Sequence, residues 1–455
     1  MNNTILDTII KNKKIWINKK KKDEPITVLK NLLQKADNKF YKTITNTKET
    51  IFILECKKFS PFSKNISIHF DLKKLLQEYK NYASVVSIIT DEEYFKGDFN
   101  FLLIAKKKIS QPILCKDFFI DKYQIYLARY YQADAILLML SILNDEEYIN
   151  LSKIAHQLKM GILTEVSNQD EVNRAMQLKA KVIGINNRDL RNFSIDFNRT
   201  YHLSANLINK NIKIISESGI AYYADIKKLN PFVHGFLIGT NIVKKKNINI
   251  GIKRIIFGEN KVCGLTRIED AKFAYQCGAI YGGLIFIKES KRKIDDITAK
   301  KIINSVPLQW VGVFSNESIK NILNKALQLK LKVIQLHGEE TQDFITTLRK
   351  ILPKKINIWK VLKIKNFLPE RNFFHIDRYV FDNVYGGSNK SFNWSLLKNQ
   401  NLENVLLAGG LNAKNCQKAS YFGCSGLDFN SGVEISPGIK DHQKINSVFY
   451  ILKNL

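Results

Sequence analysis

The chain has 455 residues, 45% of them hydrophobic, and carries 71 Lys and Arg against 42 Asp and Glu for a formal net charge of +29. That length exceeds one core and suits two domains. No apolar run reaches the ~18 residues of a membrane span, and Met1-Asn2-Asn3-Thr4 does not open a secretory signal. The positive balance invites a nucleic-acid partner, but the excess is Lys rather than Arg, is spread along the whole chain and comes with no basic-aromatic recognition motif. No specific nucleic-acid partner is therefore expected, and the cationic surface suits anionic, phosphorylated substrates instead.

The six cysteines (Cys56, Cys115, Cys263, Cys277, Cys416, Cys424) form no CxxC pair and have no close-spaced His partners. Reduced thiols in a cytoplasmic protein, with no bound metal, are the simplest expectation.

Residues 2–45 carry a helical repeat: Ile5, Ile9, Ile10, Ile15 and Trp16, then Val28, Leu29, Leu32 and Leu33. Short apolar runs follow at 51–56, 85–90, 113–118, 135–140, 161–166, 182–187, 212–218 and 235–240, separated by amphipathic stretches such as Leu72–Tyr79 and Glu171–Leu178. Eight strand–helix repeats predict a closed (β/α)8 barrel. The count then restarts, with runs at 261–265, 281–286, 310–314, 333–337, 358–362, 379–383, 405–410 and 426–430. The join falls near Ile255 to Glu259 and has no Pro- or Ser-rich linker. The predicted class is α/β, two tandem (β/α)8 TIM barrels over 1–255 and 256–455.

Barrel enzymes place their chemistry at the C-terminal ends of the strands, often with a phosphate between the last two loops. In the first half those ends carry Glu55 and Lys57, Lys116 and Asp117, Glu165, Asn186, Asn187 and Arg188, Glu217, Ser218 and Gly219, and Gly239 and Thr240. Any one Lys or Glu there reads equally well as a rim salt bridge. Three acids and two bases converging on one mouth instead set one another's protonation, which separates acid from base roles. Ser218-Gly219 and Gly239-Thr240 offer backbone N–H groups and a hydroxyl to a phosphate.

The segments ILECKKFSP, ILCKDF, LTEVSN, GINNRDL, ISESGI and GFLIGT, in this order, resemble indole-3-glycerol-phosphate synthase over about residues 1–255. The resemblance implies closure of the indole ring of a carboxyphenylamino deoxyribulose phosphate, with loss of carbon dioxide and water. It implies Lys116 as the general acid at the substrate carbonyl. Glu165 and Lys57 then serve dehydration, and Glu55, Ser60, Asn186, Arg188, Glu217 and Ser218 hold substrate. One stretch departs from the family: in Ser60-Pro61-Phe62-Ser63-Lys64-Asn65, Phe62 stands where a second Ser is usual and the following Gly is absent. A weakened synthase step is one expectation from that loop.

In the second half Cys263 lies at a strand end before Gly264-Leu265-Thr266, and Asp382 lies at another before Gly386-Gly387-Ser388. A lone Cys is as readily a small buried apolar residue, and the other five are read that way. With Arg292, Gln335-Leu336-His337-Gly338 and Leu407-Ala408-Gly409-Gly410, the set resembles phosphoribosylanthranilate isomerase over about residues 256–455. The resemblance implies an Amadori rearrangement, with Asp382 as the acid that opens the sugar ring and Cys263 as the base that removes the C2 proton. Arg292 then holds the anthranilate carboxylate through a bidentate pair. Gly409, Gly410 and the Asp428–Ser431 segment cradle the phosphate. His337 has no second ligand spaced for a metal and is read as a hydrogen-bonding rim residue at the substrate. Asn389 and Asn393 replace a Gly and an Asp common in the family, as tolerated loop changes.

Together the halves resemble a fused pair of consecutive steps in tryptophan biosynthesis. The expected chain is a monomer that needs no cofactor, since both reactions are proton transfers, additions and eliminations. Two rivals compete. A histidine-pathway type of sugar-phosphate isomerase favours paired Asp residues rather than Cys with Asp, and a cationic scaffold drifted from an enzyme requires a focused basic surface.

Overall fold

A computed structural model describes residues 5–61, 70–189, 194–208, 210–243, 247–384 and 391–455. The chain divides into two compact units, Met1–Ile252 and Lys253–Leu455.

The first unit is a closed barrel of eight parallel strands in sequential order. They are β1 (Ile51–Cys56), β2 (Val85–Ile89), β3 (Ile113–Lys116), β4 (Ala135–Met139), β5 (Gly161–Val166), β6 (Val182–Asn186), β7 (Lys213–Glu217) and β8 (Gly235–Ile238). Most of these strand residues are buried, as continuous Val/Ile/Leu-rich runs require when helices cover a parallel sheet. Side-chain caps start several of those helices: Asp71, Asp121, Asn144 and Asn168 each accept a first-turn N–H.

The single helical stretch expected over 2–45 is three helices: α1 (Ile5–Asp23), α2 (Ile26–Leu32) and α3 (Lys39–Thr45). Pro25 sits at the start of α2, where its fixed φ and missing N–H end one helix and begin the next. The short α3 closes the barrel floor. Phe40 and Ile44 join the core made by Ile51, Val85, Ala135 and Val182 at the strand beginnings. Gly161 admits the Phe40 ring, since a Cβ there would lie 2.2 Å from it. The longer α1 lies at the other end, where Ile5, Leu6 and Ile9 wall the cavity at the strand C-termini.

The second unit is also a closed eight-stranded parallel barrel. Its strands are β9 (Lys261–Val262), β10 (Tyr281–Ile285), β11 (Gln309–Phe314), β12 (Val333–Leu336), β13 (Asn357–Ile364), β14 (Arg378–Asn383), β15 (Val405–Leu407) and β16 (Gly426–Phe429). Beyond it β17 (Glu434–Ser436) pairs antiparallel with β18 (Ile439–Lys440). The expected runs 261–265 and 405–410 overshoot their strands because Gly264 (φ 66°), Gly409 (φ 90°) and Gly410 (φ 62°) turn the chain through left-handed conformations.

Candidate active sites

In the first barrel, alternate strands deliver one charged cluster. Glu55 comes from β1, Lys116 from β3, Glu165 from β5 and Glu217 from β7. Lys57 follows Glu55 by two residues, so both side chains leave on the same face. Its ammonium is 2.6 Å from Glu55 Oε1 and donates to Thr240 Oγ1 at 3.2 Å, while Lys116 Nζ stands 3.8 Å from Glu55 Oε2. Asn186 on β6 donates to Glu165 at 3.1 Å. Glycines make the room: a Cβ on Gly184 would meet Glu217 Oε1 at 1.9 Å, and one on Gly239 would meet Glu55 Oε1 at 2.5 Å.

The cluster splits its carboxyls. Burial pushes Glu55 up, but Lys57 and Lys116 more than offset it and hold the carboxyl below its usual value. Burial raises Glu165 despite Lys116 and Asn186. Glu217 is raised to about 8, through burial and then the negative charge of Glu165. Lys116, although buried, is held charged by Glu55, Glu165 and Glu217. One mouth thus holds an ionised carboxylate, a protonated carboxyl and ammonium groups at the same pH, as acid–base catalysis demands.

Glu55, Lys57, Lys116, Glu165, Asn186, Arg188 and Ser218 line one cavity. Ser218 (φ 68°) and Gly219 (φ 89°) turn the loop after β7, and Asn241 ties it to the loop after β8 by donating to Ile220 O at 2.8 Å. That places Gly219 and Gly239-Thr240 on joined loops. Ser60 is buried but does not line the cavity. Phe62 and its neighbours through 69, and with them the question of that loop, lie outside the described residues.

The sequence reading missed what fixes α1. Lys13 is buried, with its ammonium 2.6 Å from Asp91 and 2.7 Å from Asp117. Thr90 also donates to Asp117 at 2.8 Å. The available signal was Lys13 standing between Ile9 and Ile17, on the stripe of α1 that is buried.

In the second barrel all eight expected residues line one cavity: Cys263, Arg292, His337, Asp382, Gly409, Gly410, Asp428 and Ser431. Burial raises the Cys263 thiol, against the pull of Lys261. Asp382 is pushed up to about 6 by burial, with Asp428 adding to the rise and the Asn383 N–H opposing it. His337 is pushed down to about 4 by burial and then Lys261, so it is a neutral imidazole, and its Nδ1 has no hydrogen-bond partner. Gln335 Oε1 is likewise buried without one. Both face the cavity and suit substrate hydroxyls. Among the described residues no group of His, Cys, Asp and Glu is arranged to hold a metal ion, and no helix is long and apolar enough to cross a membrane.

Two placements differ in detail from the sequence reading. The guanidinium of Arg292 is already forked onto Glu434, through Nε at 3.0 Å and Nη2 at 2.8 Å. Glu434 also takes Lys440 at 2.7 Å. The Arg292 fork is thus occupied by Glu434 and only its remaining edge faces other partners. Asp428 Oδ2 accepts from Lys261 Nζ at 2.7 Å, and a carboxylate there repels a phosphate rather than cradling it. The loop Gly386–Ser388 and Asn389 lie outside the described residues, while Asn393 caps a 3-10 turn by accepting from Ser395 N.

Fold and sites together define a two-barrel enzyme, each mouth built for proton transfer on a small anionic substrate. The family model for indole-3-glycerol phosphate synthase matches residues 6–255, and that for N-(5'-phosphoribosyl)anthranilate isomerase matches residues 260–450. Relatives described as tryptophan biosynthesis protein TrpCF align end to end. That of Buchnera aphidicola subsp. Diuraphis noxia is 54% identical over all of both chains, that of Salmonella typhi 51% over 99% of each, and that of Haemophilus influenzae 46% over 98% of this chain and 96% of its own. The chain belongs to this family of bifunctional indole-3-glycerol-phosphate synthase/phosphoribosylanthranilate isomerases. Its C-terminal half converts N-(5-phosphoribosyl)anthranilate to 1-(2-carboxyphenylamino)-1-deoxyribulose 5-phosphate. Its N-terminal half closes that product to indole-3-glycerol phosphate, releasing carbon dioxide and water.

Proposed function

We propose that the two reactions are carried by the two charged mouths, over residues 1–255 and 256–455, with the following roles. In the synthase barrel Lys116 donates the proton at the substrate carbonyl as the ring closes. Its charge is held by three surrounding carboxyls, which supports an acid that stays loaded until substrate arrives. Lys57 and Glu165 move protons during dehydration. Glu55 fixes Lys57, and Asn186, Arg188, Glu217, Ser218 and the buried Ser60 place the substrate, with its phosphate at Gly219, Gly239 and Thr240.

In the isomerase barrel Asp382 protonates the ring oxygen and Cys263 removes the C2 proton of the iminium. Arg292 meets the anthranilate carboxylate beside Glu434, His337 meets a sugar hydroxyl, and Gly409, Gly410 and Ser431 meet the phosphate. The observation that carries this reading is the split in protonation at each mouth: a carboxyl raised to about 8 beside an ionised one in the first, and a carboxyl at about 6 facing a thiol in the second. In this reading the chain acts as a monomer in the cytoplasm, without cofactor or nucleic acid.

The test is single-step kinetics on the whole chain. Glu165→Gln is expected to lower synthase kcat, and Cys263→Ser isomerase kcat, each by about 10²–10⁴-fold. Undiminished turnover in either variant removes that residue from the mechanism.

A further inference from the structure

The ion pair formed by Asp428 lies inside the barrel beside the proposed base. Asp428 on β16 and Lys261 on β9 are register partners, and their side chains meet at 2.7 Å. Lys261 is 0% exposed. Cys263 follows it by two residues and so leaves the chain on the same inward face. Gly283 on β10 gives the scale: a Cβ there would lie 2.6 Å from Cys263 Sγ and 3.0 Å from Lys261 Cε. The sulfur and the end of the lysine flank one point, so the lysine head lies beside the thiol.

A general base must spend time as the thiolate, and burial opposes that. We propose that Lys261 and Asp428 are positioning residues for Cys263: the Lys261 ammonium stabilises the thiolate, and Asp428 holds the ammonium in place while limiting its pull. This rests on the reading of Cys263 as the general base. The other charged groups around the sulfur are already engaged or more remote. Lys440 on β18 is tied to Glu434 at 2.7 Å and Asn430 Oδ1 at 3.0 Å, and Arg292 is forked onto Glu434. Asp382, on β14, feels both Asp428 and Lys261, and His337 is neutral. Among the influences on the thiol, Lys261 comes directly after burial and ahead of Lys440.

The pair predicts opposite displacements. Lys261→Met/Asp428→Asn removes it without stranding a buried charge, and Asp428→Asn alone frees the ammonium. On the full chain, iodoacetamide alkylation of the Cys263 peptide is followed against pH by mass spectrometry, with isomerase kcat and KM measured in parallel. The double variant is expected to move the alkylation midpoint to higher pH, with kcat falling about tenfold for each pH unit the midpoint moves and KM holding. Asp428→Asn is expected to move the midpoint to lower pH. Curves that superimpose on the unmodified chain overturn the proposal. Should the double variant not fold, the direction in which Asp428→Asn moves the midpoint decides alone. Cys263→Ser separates the two claims: if it turns over at the full rate, the general-base reading fails, whereas the midpoints still report whether Lys261 controls the thiol.

Discussion

Asp382 and Cys263 illustrate how little of a site's chemistry is written in residue type alone. The acid carries the lower pKa, about 6, and the base sits above its usual thiol value. The productive form, protonated Asp382 with a Cys263 thiolate, is therefore a minority species whose population is flat between the two pKa values. Isomerase kcat/KM is expected to climb to a plateau near pH 6, hold, and fall only above the ordinary cysteine range, as a pH–rate profile shows directly. A single narrow optimum below pH 6 is inconsistent with these assignments.

Glu217 has a second consequence at this scale. A carboxyl raised to about 8 binds its proton in the folded state where the unfolded chain has lost it. Stability from that proton is complete below the ordinary carboxylate range and is lost as pH rises through about 8. Glu217→Gln is expected to flatten the fall in first-barrel stability over that window, read from urea midpoints at several pH values. The identities of Cys263, Asp382 and the first-barrel cluster were legible because they end apolar runs. Lys261 was not, because a Lys at the start of a strand gives no local sign that Asp428, far along the chain, will bury it.

Elements were legible where period and punctuation agreed. All sixteen apolar runs overlap a strand, with ends off by up to three residues; at Gly264 and Gly409-Gly410 the miss comes from glycine turning the chain early. The N-terminal helices show the limit. Periodicity marked Ile9 but could not show that Lys13 on the same stripe docks on Asp91 and Asp117, since that depends on the loops after β2 and β3. Breaking such a buried set by removing one partner costs about 3–5 kcal/mol. Lys13→Met is expected to lower the urea midpoint for synthase activity and raise the synthase KM, because α1 also walls the cavity through Ile5, Leu6 and Ile9. Isomerase activity is expected to be unaffected. Adding Asp91→Asn and Asp117→Asn is expected to recover much of the stability, which distinguishes stranded charge from lost packing.

The whole molecule is two barrels, each with its own core and its own charged mouth. The net charge of +29 is that of a surface attractive to phosphorylated substrates. KM for both steps is expected to rise with salt, since screening shortens the reach of that field. The central claim is that the two chemistries reside in separate sets of residues within one chain. The most direct measurement follows anthranilate fluorescence for the isomerase step and indole absorbance for the synthase step, each with its own substrate, in Lys116→Ala and Asp382→Ala chains. The expected result is that Lys116→Ala loses only ring closure and Asp382→Ala only the rearrangement. Loss of both steps in either variant, or of neither, would contradict that division.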